Sequence, residues 1–278
     1  MRWEGGRRSS NIEDRRGLGA GTVGVGGIGT LLLVLAVSCV TGINPLALLN
    51  VVQQVQPEQQ SQAVPTGTPQ NDPAAEFVAV VLGSTEDVWT QVFSSAGREY
   101  RKPVLVLFED AVQSACGRAS ASTGPFYCPG DQKVYLDLSF FRELDRRFGA
   151  PGDFAHAYVV AHEVGHHVQT LLGVNRQVQR AQQEAGRTGA NALSVKLELQ
   201  ADCFAGVWGS RARSMLDPGD VDEGLKAAAA IGDDRLTGGR VSPESFTHGT
   251  SAQRAHWLRE GLEKGDINAC DTFSATSF

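Results

Sequence analysis

At 278 residues and 29.6 kDa, the chain is longer than one small domain needs and shorter than two large ones. An apolar share of 41% with 20% charged residues excludes a wholly disordered, collagen-like or polytopic membrane protein. The net charge of −6 argues against a nucleic-acid partner, whose phosphates call for a basic surface.

Residues 1–16 hold five arginines (Arg2, Arg7, Arg8, Arg15 and Arg16) against Glu4, Glu13 and Asp14. Residues 17–40 then run for 24 positions without a charge. At about 1.5 Å per residue, that crosses a hydrocarbon core of roughly 30 Å. The order predicts a cytoplasmic basic tail over 1–16 and one transmembrane helix over 17–40, with everything beyond it exported. A leader cut after export, or a lipid on Cys39, is the alternative to an uncleaved anchor. Residues 41–73 are rich in Gln, Pro, Ser and Thr and predict a juxtamembrane segment followed by a flexible linker. Residues 74–278 remain as one well-buried domain.

Within that domain, apolar spacing over 76–82 and 85–94 predicts one or two helices. Short β-branched runs at 103–108 and 133–137 predict strands, and helices dominate from 153 onward, so the class is α+β and helix-rich. Besides Cys39 the chain has Cys116, Cys128, Cys203 and Cys270, an even set that an exported domain can oxidise in three ways. Cys116 and Cys128 bracket a small-residue loop and are natural partners, which would leave Cys203 to Cys270.

Residues 153–172 predict one long helix, opened by Pro151-Gly152 and closed by Gly173. It carries His162-Glu163-Val164-Gly165-His166, an H-E-x-x-H motif. Residues four apart share a helix face, so both imidazoles can reach one Zn²⁺, while Glu163 stands about 100° round and reaches a water rather than the metal. A catalytic zinc needs a third protein ligand. The metzincin extension is closed, because Gln169 and Leu172 stand where it requires Gly and His. A second helical stretch, residues 191–208, offers Glu198 and Asp202 four apart on one face. There the first carboxylate can bind the metal and the second can accept the N–H of a liganding histidine.

His162-Glu163-x-x-His166 followed by Glu198-x-x-x-Asp202 resembles the gluzincin arrangement of zinc peptidases. The wider text is similar to a bacterial neutral zinc metallopeptidase family, through residues 115–117, 126–129, 133–141, 162–167, 198–206, 231–235 and 247–254. The resemblance covers residues 75–275 and implies a zincin-like α+β domain with a small sheet above two crossing helices. It implies His162, His166 and Glu198 as Zn²⁺ ligands and Glu163 as the general base that activates the attacking water on a peptide or protein substrate. It also suggests His248 as a donor to the oxyanion, with Arg254 holding Asp202 or the substrate backbone.

The expected whole is a membrane-anchored zinc metalloendopeptidase whose catalytic domain lies outside the cytoplasm. The alternative is a non-catalytic, zinc-stabilised binding or chaperone module in the same place. Strand 104–108 is the expected edge for an extended peptide, Tyr158 and His167 are expected to pack, and Asp233-Asp234-Arg235 to form a turn with a local ion pair.

Overall fold

Val104–Phe108 is an unbroken apolar run with four of its five residues buried, the signature of a strand covered on both faces. In the computed structural model, which describes residues 1–17, 66–67 and 71–274, it is indeed interior. The strands are β1 (Ile12–Asp14), β2 (Val104–Phe108), β3 (Ala111–Ser114), β4 (Gly117–Ser120), β5 (Phe126–Cys128) and β6 (Lys133–Asp137). The main sheet has the order β1-β2-β6-β5: β2 lies parallel to both β1 and β6, and β5 runs antiparallel to β6. β3 and β4 form a separate hairpin. The expectation that β2 is a free edge is therefore corrected. Both of its sides are paired, and among the described residues the edge strands are β1, bridged at Glu13 by Thr66, and β5.

The described helices are α1 (Pro73–Ser95), α2 (Ser139–Arg146), α3 (Asp153–Leu172), α4 (Val174–Glu184), α5 (Arg187–Arg211), α6 (Asp220–Ala230), α7 (Asp233–Leu236) and α8 (Ser251–Lys264). α1 starts where Asp72 accepts the backbone N–H groups of Ala74 and Ala75 and Pro73 supplies a ready first turn. It absorbs both predicted helical stretches into one. α3 has the bounds its sequence predicts and stops at Gly173 in the left-handed conformation. α5 is longer than expected, beginning at Arg187. Phe154 stacks on Trp208 and Trp89 meets Phe204 edge-on, so α1, α3 and α5 share one aromatic core beneath the sheet.

Residues 1–15 belong to this folded unit, which corrects the reading of 1–16 as a free basic tail. Ile12 is 1% exposed, and β1 pairs with β2 from Ile12 opposite Leu105 to Asp14 opposite Leu107. The arginines have partners in the fold: Arg7 reaches Glu86 at 2.9 Å and Asp87 at 2.8 Å, and Arg8 pairs with Glu76. Buried Glu86 also accepts from Ser9 Oγ at 2.5 Å and Asn11 Nδ2 at 2.7 Å. α1 makes room for this segment with Gly83, where a Cβ would lie 2.3 Å from the carbonyl oxygen of Arg7.

No helix among the described residues is long and apolar enough to cross a membrane. The predicted span 17–40 lies, apart from Gly17, outside the described residues, as do Cys39 and most of the predicted linker.

Candidate active site

The H-E-x-x-H helix and the second motif helix meet because Gly165 lacks a side chain. A Cβ there would lie 2.9 Å from the carbonyl oxygen of Ala201 and 3.1 Å from its Cα. α3 and α5 thus touch backbone to backbone at the level of the motifs, and Glu198 comes to face both histidines. His162 Nε2 lies 3.2 Å from Glu198 Oε2, and His166 Nε2 lies 3.4 Å from Glu198 Oε1. Ligand bonds of about 2.0–2.1 Å in tetrahedral geometry put neighbouring ligand atoms about 3.3 Å apart, so these three side chains fit one zinc ion. Among the described residues they form the cluster of donors that could hold a metal, all three donor atoms within 4.8 Å of one another.

The surrounding charges favour a cation. Burial works against charge on His162, but Asp202 and Glu198 outweigh it and raise its pKa to about 10. His166 is raised in the same way against its burial, chiefly by Glu198. Burial would lift Glu198, yet the two histidines hold it well below the usual carboxylate range. Glu163, 7% exposed and beside the cluster, is pushed up by burial.

Asp202 sits behind His162. Its Oδ1 accepts from Tyr158 Oη at 2.6 Å and lies 2.8 Å from His162 Nδ1. Arg254, 2% exposed on α8, donates to both Asp202 oxygens, Nε to Oδ2 at 2.8 Å and Nη2 to Oδ1 at 2.9 Å. Of the two partners suggested for Arg254, Asp202 is the one it holds. A buried carboxylate with a bidentate guanidinium and a phenol is a satisfied network that fixes the imidazole's orientation. Tyr158 packs as expected, at 1% exposed, but its hydroxyl is part of this network.

His248 lies in the loop before α8 and lines the same cleft as His162, Glu163, His166 and Glu198, with its side chain half exposed. Its side chain bonds to Thr247 and Asp233 and makes no hydrogen bond or ion pair with the three donor residues. Asp233 holds it there: Oδ2 accepts from the backbone N–H groups of Thr247 and His248, both at 2.7 Å, and of Gly249 at 3.1 Å, while Oδ1 lies 3.2 Å from His248 Nδ1. Asp233 begins α7 rather than a mere turn, and its work is in this loop. Nothing in its sequence surroundings shows that, because the partner loop is fourteen residues away.

The cleft, about 940 Å³, runs from this loop to β5, an edge strand of the described sheet, where Tyr127 lines it. His167 turns away from the donor cluster and joins β5 to α3: its Nδ1 lies 3.2 Å from Tyr127 Oη and its Nε2 lies 2.6 Å from the carbonyl of Arg101. Burial drives its pKa down to about 4.

The sequence profile of the family described as "Putative neutral zinc metallopeptidase" matches residues 1–273. The chain belongs to this family. The match includes residues 1–15, in keeping with their place in the fold. The uncharacterized protein YpfJ of Escherichia coli K12 is 46% identical over 288 residues, covering 98% of this chain and 99% of its own. The uncharacterized protein Rv2575 of Mycobacterium tuberculosis H37Rv is 45% identical over 214 residues, or 71% and 70% of the two chains. No solved structure matches the chain. Zinc is the metal that this family implies, and the donor set of two imidazoles and one carboxylate suits it. The two predicted cysteine pairs are both at bonding distance: Cys116 with Cys128, tying the β3–β4 turn to the end of β5, and Cys203 with Cys270, tying α5 to the C-terminal segment.

Proposed function

We propose that this protein is a zinc metalloendopeptidase that hydrolyses peptide bonds in extended segments of a peptide or protein. The observation that carries the reading is the meeting of His162, His166 and Glu198 around one point, with Glu163 beside them in an open cleft. Three protein ligands and an open fourth position are the mark of a catalytic zinc site, whereas a structural site is closed by four.

When bound, zinc supplies a water of lowered pKa and polarises the scissile carbonyl. Glu163 takes the proton from the attacking water and returns it to the departing amine, work suited to a buried carboxylate whose affinity for a proton is raised. His248, oriented by Asp233, donates to the carbonyl oxygen as it gains charge. The substrate backbone pairs with the edge strand β5, which selects extended chain with few side-chain demands. Purified protein is expected to cleave an unfolded protein such as reduced casein, and to stop when a chelator removes the metal and resume when zinc is restored. Persistent cleavage in excess chelator, or none with zinc bound, would remove the reading.

The folded unit is proposed to lie outside the cytoplasm, since two disulfides persist in oxidising compartments. Residues 1–15 go with it, because β1 cannot pair with β2 through a bilayer. Glu13 bridges to Thr66, so the chain leaves and rejoins the sheet at neighbouring points. Any entry of residues 16–65 into a membrane therefore ends on the side where it began, in place of the single crossing expected from charge. In a Cys39→Ser background, Ser10→Cys and Glu263→Cys are expected to react with an impermeant maleimide from the same face of the membrane. Labelling from opposite faces would restore the single crossing.

A further inference from the structure

The two histidines of the motif both turn Nε2 to Glu198, so each presents Nδ1 to something behind it. His162 meets the charged Asp202–Arg254 pair. His166 meets an amide: its Nδ1 lies 2.9 Å from Gln169 Oε1, one turn on along α3. The two histidines thus have unlike supports, one ionic and one neutral.

The neutral support is a chain of bonds whose polarity is forced from its far end. A backbone carbonyl only accepts. The carbonyl of Cys270 therefore accepts a hydrogen bond from Gln200 Nε2, at 3.0 Å, and this turns Gln200 Oε1 towards Gln169. Gln169 Nε2 uses its two hydrogens on Gln200 Oε1, at 3.1 Å, and on the carbonyl of Leu197, at 2.7 Å. Gln169 then has only its oxygen left for His166, so Nδ1 must be the donor, and in the neutral ring that binds a metal the lone pair falls on Nε2. Gln169 is 0% and Gln200 8% exposed, so water does not compete for these bonds.

The far end is itself held. Cys270, 1% exposed, is bonded to Cys203, one turn beyond Gln200 on α5. α5 therefore carries the metal-facing Glu198, the relaying Gln200 and the disulfide anchor within six residues.

We propose that Gln169 and Gln200 are positioning residues that select the metal-binding tautomer of His166, and that the Cys203–Cys270 disulfide anchors them, so its reduction weakens metal binding. The proposal rests on the zinc reading above. Loss of an outer partner of a liganding histidine costs on the order of 10–100-fold in metal affinity. Reduction loosens the segment that carries the Cys270 carbonyl, leaving Thr272 Oγ1 on the Lys196 carbonyl and Lys196 Nζ on the Phe273 carbonyl to hold it, and both amides then lose their fixed sense.

The test is the zinc dissociation constant of the full chain, measured by competition with a chromophoric chelator, with folding followed by circular dichroism. Gln169→Leu is expected to bind zinc about 10–100-fold more weakly than wild type. Gln169→Glu keeps an acceptor for His166 but loses the two hydrogens given to the Leu197 carbonyl and Gln200 Oε1, so it is expected to recover part of that loss, which a residue that only fills space would not do. Gln200→Leu, and the pair Cys203→Ser with Cys270→Ser, are each expected to weaken binding by about tenfold. Combined, they are expected to fall well short of the product of the two effects, because both break one chain. Should Gln169→Leu fail to fold, the Gln200 and cysteine variants decide the matter. Folded variants with wild-type affinity, or losses that multiply fully, overturn the proposal while leaving the zinc site standing. A wild type that takes up no zinc overturns both.

Discussion

Glu163→Gln is expected to keep its zinc and lose peptide hydrolysis by about 10²–10⁴-fold, the usual contribution of a positioned general base. Glutamine matches glutamate in shape, so the substitution leaves no cavity at a position that is 7% exposed. It removes only the ability to take a proton from water and hand it to the amine. The residue contributes no donor atom to the His162, His166 and Glu198 cluster, so metal content should not change. Zinc per chain and the rate of casein cleavage, measured on one preparation, separate the two effects. Wild-type turnover with zinc in place would take Glu163 out of the mechanism. Loss of both would mean that its carboxylate holds the metal.

Glu198→Ala is expected to lower zinc from about one per chain to a small fraction of that, with activity lost in parallel. Glu198 is the group both imidazoles approach, at 3.2 and 3.4 Å, and it comes from a different helix. Without it two neutral nitrogens on α3 remain, too few to hold the ion against a chelator. The carboxylate also balances the charge that His162 and His166 gain when no metal is present. The apo variant should therefore show the His166 titration moved down, visible by NMR, while Asp202 still supports His162. Full zinc content in Glu198→Ala would mean that another residue completes the site.

Much of this site is legible in the sequence. A helix of 3.6 residues per turn brings His162 and His166 onto one face, and the same period pairs Glu198 with Asp202. Caps at Gly152 and Gly173 mark the ends of the motif helix with equal economy. The cysteine pairing followed from parity and loop length. These are local matters, set by residues a few positions apart.

What the sequence alone determined, then, was the chemistry of the donor set and the helices that carry it. Three things were decided only by the tertiary structure, each because the partner lies far along the chain. The arginines near the N-terminus were read as a topological signal, but Arg7 and Arg8 answer Glu86, Asp87 and Glu76 on α1, some seventy residues away. Strand 104–108 looked like an edge because its own residues do not reveal that β1 will pair on one side and β6 on the other. Gln169 read as the absence of a metzincin ligand, yet it supports His166. That role requires Gln200 and the Cys270 carbonyl, 31 and about a hundred positions on, which only the α3–α5 packing and the disulfide bring together. Spacing along one helix fixes which side chains share a face. Which atoms stand behind them depends on where distant segments close, and no local periodicity encodes that.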